Sequence, residues 1–182
     1  MKSVLISTQP KWCELIASGK KPDEVRKTKP KLEPPFKCYI YCTKGKFEPH
    51  EHLRNNLHYD ESTIKVCEGQ GKVIGEFVCD RFTFIDAYYD TNGNRHLCNT
   101  AFIKSCVPDD ELFDYLYGKH GEKHGGWAWH ISDLVIYEKP KELSEFYSYD
   151  ARIYIGENGF PMPTHAITRP PQSWCYVKGW VE

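Results

Sequence analysis

Lysines, acids and one arginine crowd into residues 17–30, which read ASGKKPDEVRKTKP. If residues 22–27 form a β-strand, their side chains alternate, so Val25 lies on one face and Glu24 and Arg26 lie together on the other. A carboxylate accepts hydrogen bonds and a guanidinium donates them in a planar fork, which suits both to reading the edge of a nucleobase. Spacing alone also allows a surface ion pair without function, worth about 0–1 kcal/mol.

Two further side chains near this stretch are candidates for binding. Trp12 shares an apolar stripe with Leu15 and Ile16 on a helix predicted over residues 10–18. That position is typical of a core residue, but the indole could also be the plane on which a base stacks. Lys21 supplies a point charge for a phosphate or an amine for catalysis.

One carboxylate interrupts an otherwise apolar run. Residues 72–85, KVIGEFVCDRFTFI, alternate as one long strand with a bend near Arg81, and Glu76 lies inside it. Because a buried carboxylate is costly unless it is paired or protonated, Glu76 needs a partner. Lys21 or Arg26 is the partner we predict.

Two tryptophans one residue apart share a face of a later predicted strand. Trp127 and Trp129 flank Ala128, and His130 turns to the opposite face. At least one indole is expected in the core, and the other could line a cleft. Spacing does not select between them, and Trp129 is included among the candidate ligand-binding residues.

The composition predicts one globular domain without a strong electrostatic preference. The chain has 182 residues, 40% hydrophobic and 14% aromatic, and a formal net charge of −1. A nucleic-acid partner must therefore be held by a local patch. No stretch is apolar enough to span a membrane, so we expect a cytoplasmic protein whose eight cysteines are reduced thiols.

Periodicity and turn residues predict the remaining elements. They are strands over 2–7 and 36–42, a strand pair over 126–137, a helix from Asp109 through Tyr117 closed by Gly118, helical turns over 140–146, a polar loop or short helix over 43–70, and an exposed hairpin over 147–163.

Metal ligation is the least supported chemistry in the sequence. His96, Cys98 and Cys106, with His120 or His124, are the candidate ligands, but their spacing matches no zinc-finger pattern. We therefore predict no metal and no cofactor.

Six segments of the chain resemble ASCH domains, a family of small barrels related to PUA domains. They are LISTQPKWCELIASGKK, EVRKTKP, KVIGEFVC, WHISDLVIY, KPKELSEF and TRPPQSWCYV. The resemblance implies an α+β fold, a PUA-like mixed and mostly antiparallel β-barrel with short flanking helices and an inserted helical segment. The whole chain, 1–182, would be a single domain with an insertion at about 88–126 and a C-terminal extension at about 147–182.

The resemblance also implies a function and a competing one. ASCH domains are thought to bind RNA or a modified nucleobase in a cleft beside the SGKKxxEVRK motif, whereas one bacterial branch hydrolyses N4-acetylcytidine with a lysine, a threonine and a glutamate. By resemblance the lysine falls on Lys21 and the glutamate on Glu76, but Glu24 stands at the threonine position. The hydroxyl nucleophile is then missing, so whether the chain is an enzyme stays open.

Recognition of RNA, or of a nucleoside or modified base, is the function we expect from these observations. Amidohydrolysis of an N-acylated cytidine through Lys21 and Glu76 is the alternative. The candidate ligand-binding residues are Trp12, Lys21, Glu24, Arg26, Lys27, Glu76 and Trp129.

Overall fold

The computed structural model describes residues 2–45, 61–118, 124–149 and 165–179. Most of the predicted hairpin at 147–163 and His120 lie outside these residues. The elements are β1 (Lys2–Thr8), α1 (Pro10–Ala17), β2 (Asp23–Arg26), β3 (Phe36–Cys42), α2 (Glu61–Glu68), β4 (Val73–Tyr89), β5 (Arg95–Cys98), α3 (Asp109–Tyr117), β6 (Gly126–Lys141), a 3₁₀ turn (Leu143–Glu145) and β7 (Trp174–Lys178).

The strands form one seven-stranded sheet in the order β2-β6-β4-β3-β1-β7, with β5 added to β4. Among the strands of the described residues, β1 and β3 run parallel and the other pairs are antiparallel. The predicted α+β class and mostly antiparallel sheet are therefore confirmed. The predicted barrel is wrong, because the sheet is not closed: within the described residues no ladder joins β2 to β7, the two ends of the order.

The connection from β2 toward β1 and β7 is made by a side chain and not by a ladder of backbone hydrogen bonds. Strand β2 has only four residues, and the chain beyond it carries prolines that cannot donate a backbone hydrogen bond. At its last residue, Arg26 Nη2 donates to Ser7 O at 2.7 Å and Nη1 donates to Ser173 O at 3.4 Å. The guanidinium thus connects β2 to the end of β1 and to the chain just before β7, and it leaves the sheet open.

Apolar side chains on the two faces of the sheet form separate cores. One core lies between α1 and the sheet and includes Ile16, Phe77 and Trp129. A second packs Tyr39 against Phe146 on the other face. A third joins β2, β4 and β6 to α3 and is made by Val25, Ile85, Ala87, Leu112, Phe113, Leu116 and Ala128.

The end of α1 positions the charged segment. Pro10 occupies the first turn of α1, and no side chain hydrogen-bonds the helix N-terminus as a cap. At the other end Gly19 has a φ of 72°, a left-handed conformation that glycine adopts without steric cost. The backbone N–H of Lys21 then donates to Leu15 O at 3.0 Å, so the turn delivers Lys21 directly to the start of β2.

The long strands differ from the prediction in one respect. The bend near Arg81 is confirmed, because the pairing of β4 with β6 shifts register between Cys79 and Phe82. The strand pair predicted over 126–137 is wrong, since the segment is one strand of 16 residues, β6. Its bulges let a single strand follow the curved β4 without a reversal.

The segment 88–126 holds more regular structure than expected. The helix predicted to end at Gly118 is confirmed as α3, and Gly118 has a φ of 70°. The segment also contains β5, which pairs with the end of β4 from Asp86 to Tyr89. The sequence Arg95–Cys98 is too short and too polar to signal a strand by alternation.

Glu76 has a partner, but not the one predicted. Its Oε1 accepts a hydrogen bond from Lys37 Nζ at 2.7 Å, and its Oε2 accepts one from Tyr137 Oη at 2.6 Å. The prediction of Lys21 or Arg26 is wrong because Glu76 pairs across the sheet with Tyr39, whose ring belongs to the second core. Burial acts to raise the pKa of Glu76, but hydrogen bonds from Lys37 and Tyr137 outweigh it and the pKa is lowered.

Among the described residues, no helix is both long and apolar enough to cross a membrane. The seven cysteines whose side chains are described are all free thiols.

The network around Glu76 predicts a pH-dependent contribution to stability. Because the folded pKa lies below the unfolded value of about 4.3, the carboxylate stabilises the fold above that pH and loses this effect as the pH falls through the folded pKa. We expect Glu76→Gln to lower the free energy of unfolding by about 1 kcal/mol at neutral pH and by less at about pH 3. Urea unfolding at both pH values measures this. Glu138→Gln, an exposed neighbour on β6, is the control, and an equal loss at both pH values for Glu76→Gln would contradict the assignment.

A close approach at Gly126 predicts a steric cost. A Cβ at this position would lie 2.5 Å from Leu116 Cδ2 and 2.7 Å from Arg26 O, so α3 or β2 would have to move. We expect Gly126→Ala to destabilise the protein by about 1–3 kcal/mol in urea unfolding. Gly45→Ala is the matched control, since its nearest heavy atom would be Pro10 Cδ at 4.0 Å. Equal stability of the two variants would overturn this reading of the packing.

Candidate functional site

A cavity of about 990 Å³ opens beside the charged segment. Its walls come from the end of β1, the start of α1, strand β2 with the residues after it, the start of α3, and the segment 170–173. Five predicted site residues line it: Trp12, Lys21, Glu24, Arg26 and Lys27. They converge because β2 lies next to the helix end that carries Lys21 and faces the start of α1.

Glu24 and Arg26 lie on the same face of β2, as the alternation predicts. Val25 turns the other way into the third core, while Arg26 Nη2 approaches Glu24 Oε1 at 2.9 Å. Glu24 is only 5% exposed and Arg26 only 7% exposed. This is a buried ion pair, so the reading as a surface ion pair is wrong.

Lys21 supplies the second cation beside Glu24. Its Nζ lies 3.4 Å from Glu24 Oε2, and the residue is 2% exposed. Lys21 Nζ also donates to Asp23 O at 3.0 Å and to Ser105 O. Of the three N–H donors of the ammonium group, two are used by these backbone carbonyls, and the contact with Glu24 is ionic. Lys21 is therefore held in one position on the cavity wall.

Lys21, Glu24 and Arg26 form a charged wall of the cavity, and contacts with several segments of the chain hold it in place. Beyond its backbone contacts, Arg26 Nη2 donates to Thr8 Oγ1 at 3.1 Å. Asp23 Oδ2 accepts a hydrogen bond from the backbone N–H of Lys104 at 2.8 Å, which ties the chain before α3 to β2. The charged wall is thus held by β1, β2 and the segment that carries Ser105.

Trp12 contributes an aromatic surface to the cavity, in contrast to the charged side chains of β2. The residue is half-buried and lines the cavity, and it is absent from the three cores. Lys21 Nζ lies 5.2 Å from the centre of its ring, and Lys11 Nζ lies 4.3 Å from it. Trp12 therefore belongs to the cavity wall and is not a member of the three cores.

Three buried polar atoms on the wall have no hydrogen-bond partner among the described residues. They are Ser7 Oγ, Arg26 Nε and Glu24 Oε2, the last of which keeps only its ionic contact with Lys21. Buried polar atoms are nearly always satisfied, and an unsatisfied one costs about 1–3 kcal/mol. A hydroxyl, a donor and an acceptor therefore remain on residues that line one cavity.

The rim of the cavity includes residues that sequence reasoning missed. Tyr115 on α3 lines it, and Lys27 Nζ lies 5.3 Å from the centre of its ring. Exclusion of water raises the pKa of the Tyr115 hydroxyl, opposed by the charge of Arg26 and assisted by that of Glu24.

Sequence reasoning also missed Thr8, Ser105 and Ser173. No local sequence pattern indicates that they belong to the site, because their roles depend on where the chain folds back. Tyr115 alone had a signal, since it lies between the apolar positions Leu112 and Leu116 on α3.

Two predicted site residues do not line the cavity. Glu76 lies in its own network with Lys37 and Tyr137. Trp129 is 0% exposed and packs in the first core with its ring centre 6.2 Å from that of Phe36, so it is a core residue and its inclusion in the site is corrected.

The candidate metal ligands are dispersed. His96 hydrogen-bonds Asp90 at 3.1 Å, and His124 stacks on Tyr117 with ring centres 3.9 Å apart. Across residues 2–45, 61–118, 124–149 and 165–179, no cluster of three or more His, Cys, Asp or Glu side chains is arranged to hold a metal ion.

Comparison with known proteins adds evidence on the fold. No family model matches the sequence, and no curated protein matches it. Among solved structures, the chain is similar to ASCH from Zymomonas mobilis, with 17% identity, a TM-score of 0.54, and coverage of 97% of this chain and 87% of that one. A mutant form of the same protein gives 17% identity, a TM-score of 0.55, and coverage of 98% and 91%. The likeness extends over nearly the whole chain, and the protein therefore has the fold of an ASCH domain.

Proposed function

We propose that this protein binds a nucleoside, or a single base of RNA, in the cavity beside β2. The observation that carries the proposal is the pairing of two surfaces in one cavity: a buried carboxylate–guanidinium wall and a half-buried indole. An aromatic plane is the surface on which a base stacks, and fixed donors and acceptors are the groups that read its edge. RNA or nucleobase binding is also what the ASCH resemblance implies.

The size of the cavity suits a ligand of this class. Pockets for small molecules measure about 300–1,000 Å³ and combine apolar walls with a few fixed polar groups. The 990 Å³ cavity is at the upper end of this range, which leaves room for a sugar beside a stacked base. Ser7 and Arg26 line the cavity, and each keeps one buried polar atom, Oγ and Nε, that no other described residue uses.

The charges at the cavity leave few cations free to contact phosphates. Lys21, which the sequence offers as a point charge for a phosphate, and Arg26 are both paired with Glu24. Exposed cationic heads at the cavity are those of Lys11, whose Nζ also lies 3.9 Å from Glu111 Oε2, and Lys27. With few phosphates neutralised, affinity for a nucleotide should depend only weakly on salt.

Trp12 is the sharpest test of the proposal. Stacking on an aromatic side chain is worth about 1–3 kcal/mol per base, so we expect Trp12→Ala to weaken nucleoside binding by about 5- to 150-fold. Trp12→Phe should keep most of the affinity. Isothermal titration with the four common nucleosides measures this, with thermal unfolding to confirm that each variant is folded. No binding of any nucleoside by the wild type at low salt, or equal affinity in Trp12→Ala, would remove the proposal.

Lys27 should act on the phosphate alone. We expect Lys27→Ala to leave nucleoside affinity within about twofold and to reduce the salt dependence of nucleoside 5′-monophosphate binding by about one unit of slope. Lys31→Ala, an exposed lysine of the same segment that does not line the cavity, is the matched control. The same slope in Lys27→Ala as in Lys31→Ala would contradict a phosphate contact.

Amidohydrolysis through Lys21 and Glu76 finds less support in the geometry. Glu76 contacts Lys37 and Tyr137 and does not line the cavity that holds Lys21. Lys21 Nζ is engaged by two backbone carbonyls and by the Glu24 carboxylate, and Glu24 offers no hydroxyl.

We therefore expect the protein to bind N4-acetylcytidine without hydrolysing it faster than a no-protein control. Chromatography of the products measures the hydrolysis. Turnover by the wild type would contradict this expectation, and its loss in Glu76→Gln but not in Glu138→Gln would restore the Lys21–Glu76 pair.

A further inference from the structure

A row of three side chains extends the charged wall beyond the cavity. Arg26 on β2 lies directly opposite Trp127 on β6, and Trp127 lies directly opposite Phe84 on β4. Residues that face each other across neighbouring strands point to the same side of the sheet. At a strand spacing of about 4.8 Å, Phe84 lies about 10 Å from Arg26 across the sheet. Arg26 lines the cavity, whereas Trp127 and Phe84 lie outside it.

The two rings form a surface that we call the Phe84–Trp127 platform. Their centres are 5.1 Å apart, Phe84 is 41% exposed, and Trp127 is half-buried against the first core. The backbone of Gly125 packs against the Phe84 ring, since a Cβ at Gly125 would lie 2.9 Å from Phe84 Cζ. The platform is therefore packed against the backbone on one side and partly open to solvent.

Cations connect this platform to the cavity. Lys29 Nζ lies 4.4 Å from the centre of the Trp127 ring and 5.1 Å from that of Phe82. Lys27 and Thr28, just before it, line the cavity. Thr28 is fixed by a hydrogen bond from Trp174 Nε1 to its Oγ1 at 3.0 Å. Two exposed lysines, Lys27 and Lys29, thus lie on the short segment that runs from the cavity to the platform.

We propose that the platform is a second base-stacking subsite, so that the ligand is a single-stranded RNA of at least two nucleotides. One base occupies the cavity against Trp12, its neighbour stacks on Phe84 with Trp127 behind it, and the phosphate between them lies near Lys27 and Lys29. Aromatic planes interleaved with cations are the surface that binds single strands, because every base has a face to stack and every link carries a charge. This inference rests on the proposed function of the cavity.

The test compares ligand length against matched variants. Fluorescence anisotropy with labelled RNAs of one, two and four nucleotides, at one low salt concentration, gives the three affinities. We expect the wild type to bind the dinucleotide at least tenfold more tightly than the mononucleotide. Phe84→Ala and Lys29→Ala should each lose about fivefold or more of the dinucleotide affinity and leave mononucleotide affinity within twofold. Phe84→Tyr should restore it.

Controls separate this inference from the proposed function. Val135→Ala removes a 50%-exposed apolar side chain of β6 opposite Glu76, and Lys31→Ala removes an exposed lysine; neither should change any affinity. Equal affinity for one and two nucleotides, or equal losses for both in Phe84→Ala, would overturn the second subsite while nucleoside binding stands. Absence of all binding by the wild type would overturn both.

Discussion

The arrangement of the site depends on one buried carboxylate held between two cations. Removing Glu24 from water is costly, and the attraction of Lys21 and Arg26 repays the cost only in a fixed geometry. Each cation is also fixed to backbone oxygens, Lys21 at Asp23 and Ser105 and Arg26 at Ser7 and Ser173. Loss of Glu24 would leave two buried cations without their counter-charge, at a cost of about 3–5 kcal/mol. The same interaction therefore holds the local fold and presents the polar wall.

The open sheet follows from the same guanidinium. A ladder of backbone hydrogen bonds between β2 and the end of β1 would bring the strands within about 4.8 Å and leave no hollow between them. The longer reach of the Arg26 side chain keeps these segments connected but apart. An unpaired strand edge also favours aggregation. Strand β2 is short and ends at Arg26, whose side chain is already hydrogen-bonded, so it presents little unpaired edge. The cavity exists because this connection is made by a side chain.

Local patterns in the sequence predicted much of this arrangement, and long-range contacts account for what they missed. Alternation placed Glu24 and Arg26 on one face, because it acts over a few residues. Glu76 was assigned the wrong partner, since an apolar strand has two buried faces and period-two alternation does not say which face meets which element. Trp127 and Trp129 share a face, and only the depth of the core beneath each distinguishes the half-buried ring from the fully buried one. The predicted barrel is wrong because closure depends on which strand pairs with β2. A strand of four residues has too short a pattern to predict its pairing.

The segment before α3 has a consequence for any attempt to graft this motif onto another scaffold. Cys106 adopts a left-handed backbone with a φ of 57°, its thiol donates to Lys20 O at 3.2 Å, and the adjoining Ser105 carbonyl accepts from Lys21. This loop, distant in sequence, therefore hydrogen-bonds to both lysines of the Gly-Lys-Lys turn. A host protein given SGKKxxEVRK alone would receive the ammonium without one of its acceptors, so the portable unit is the motif together with a loop 84 residues downstream.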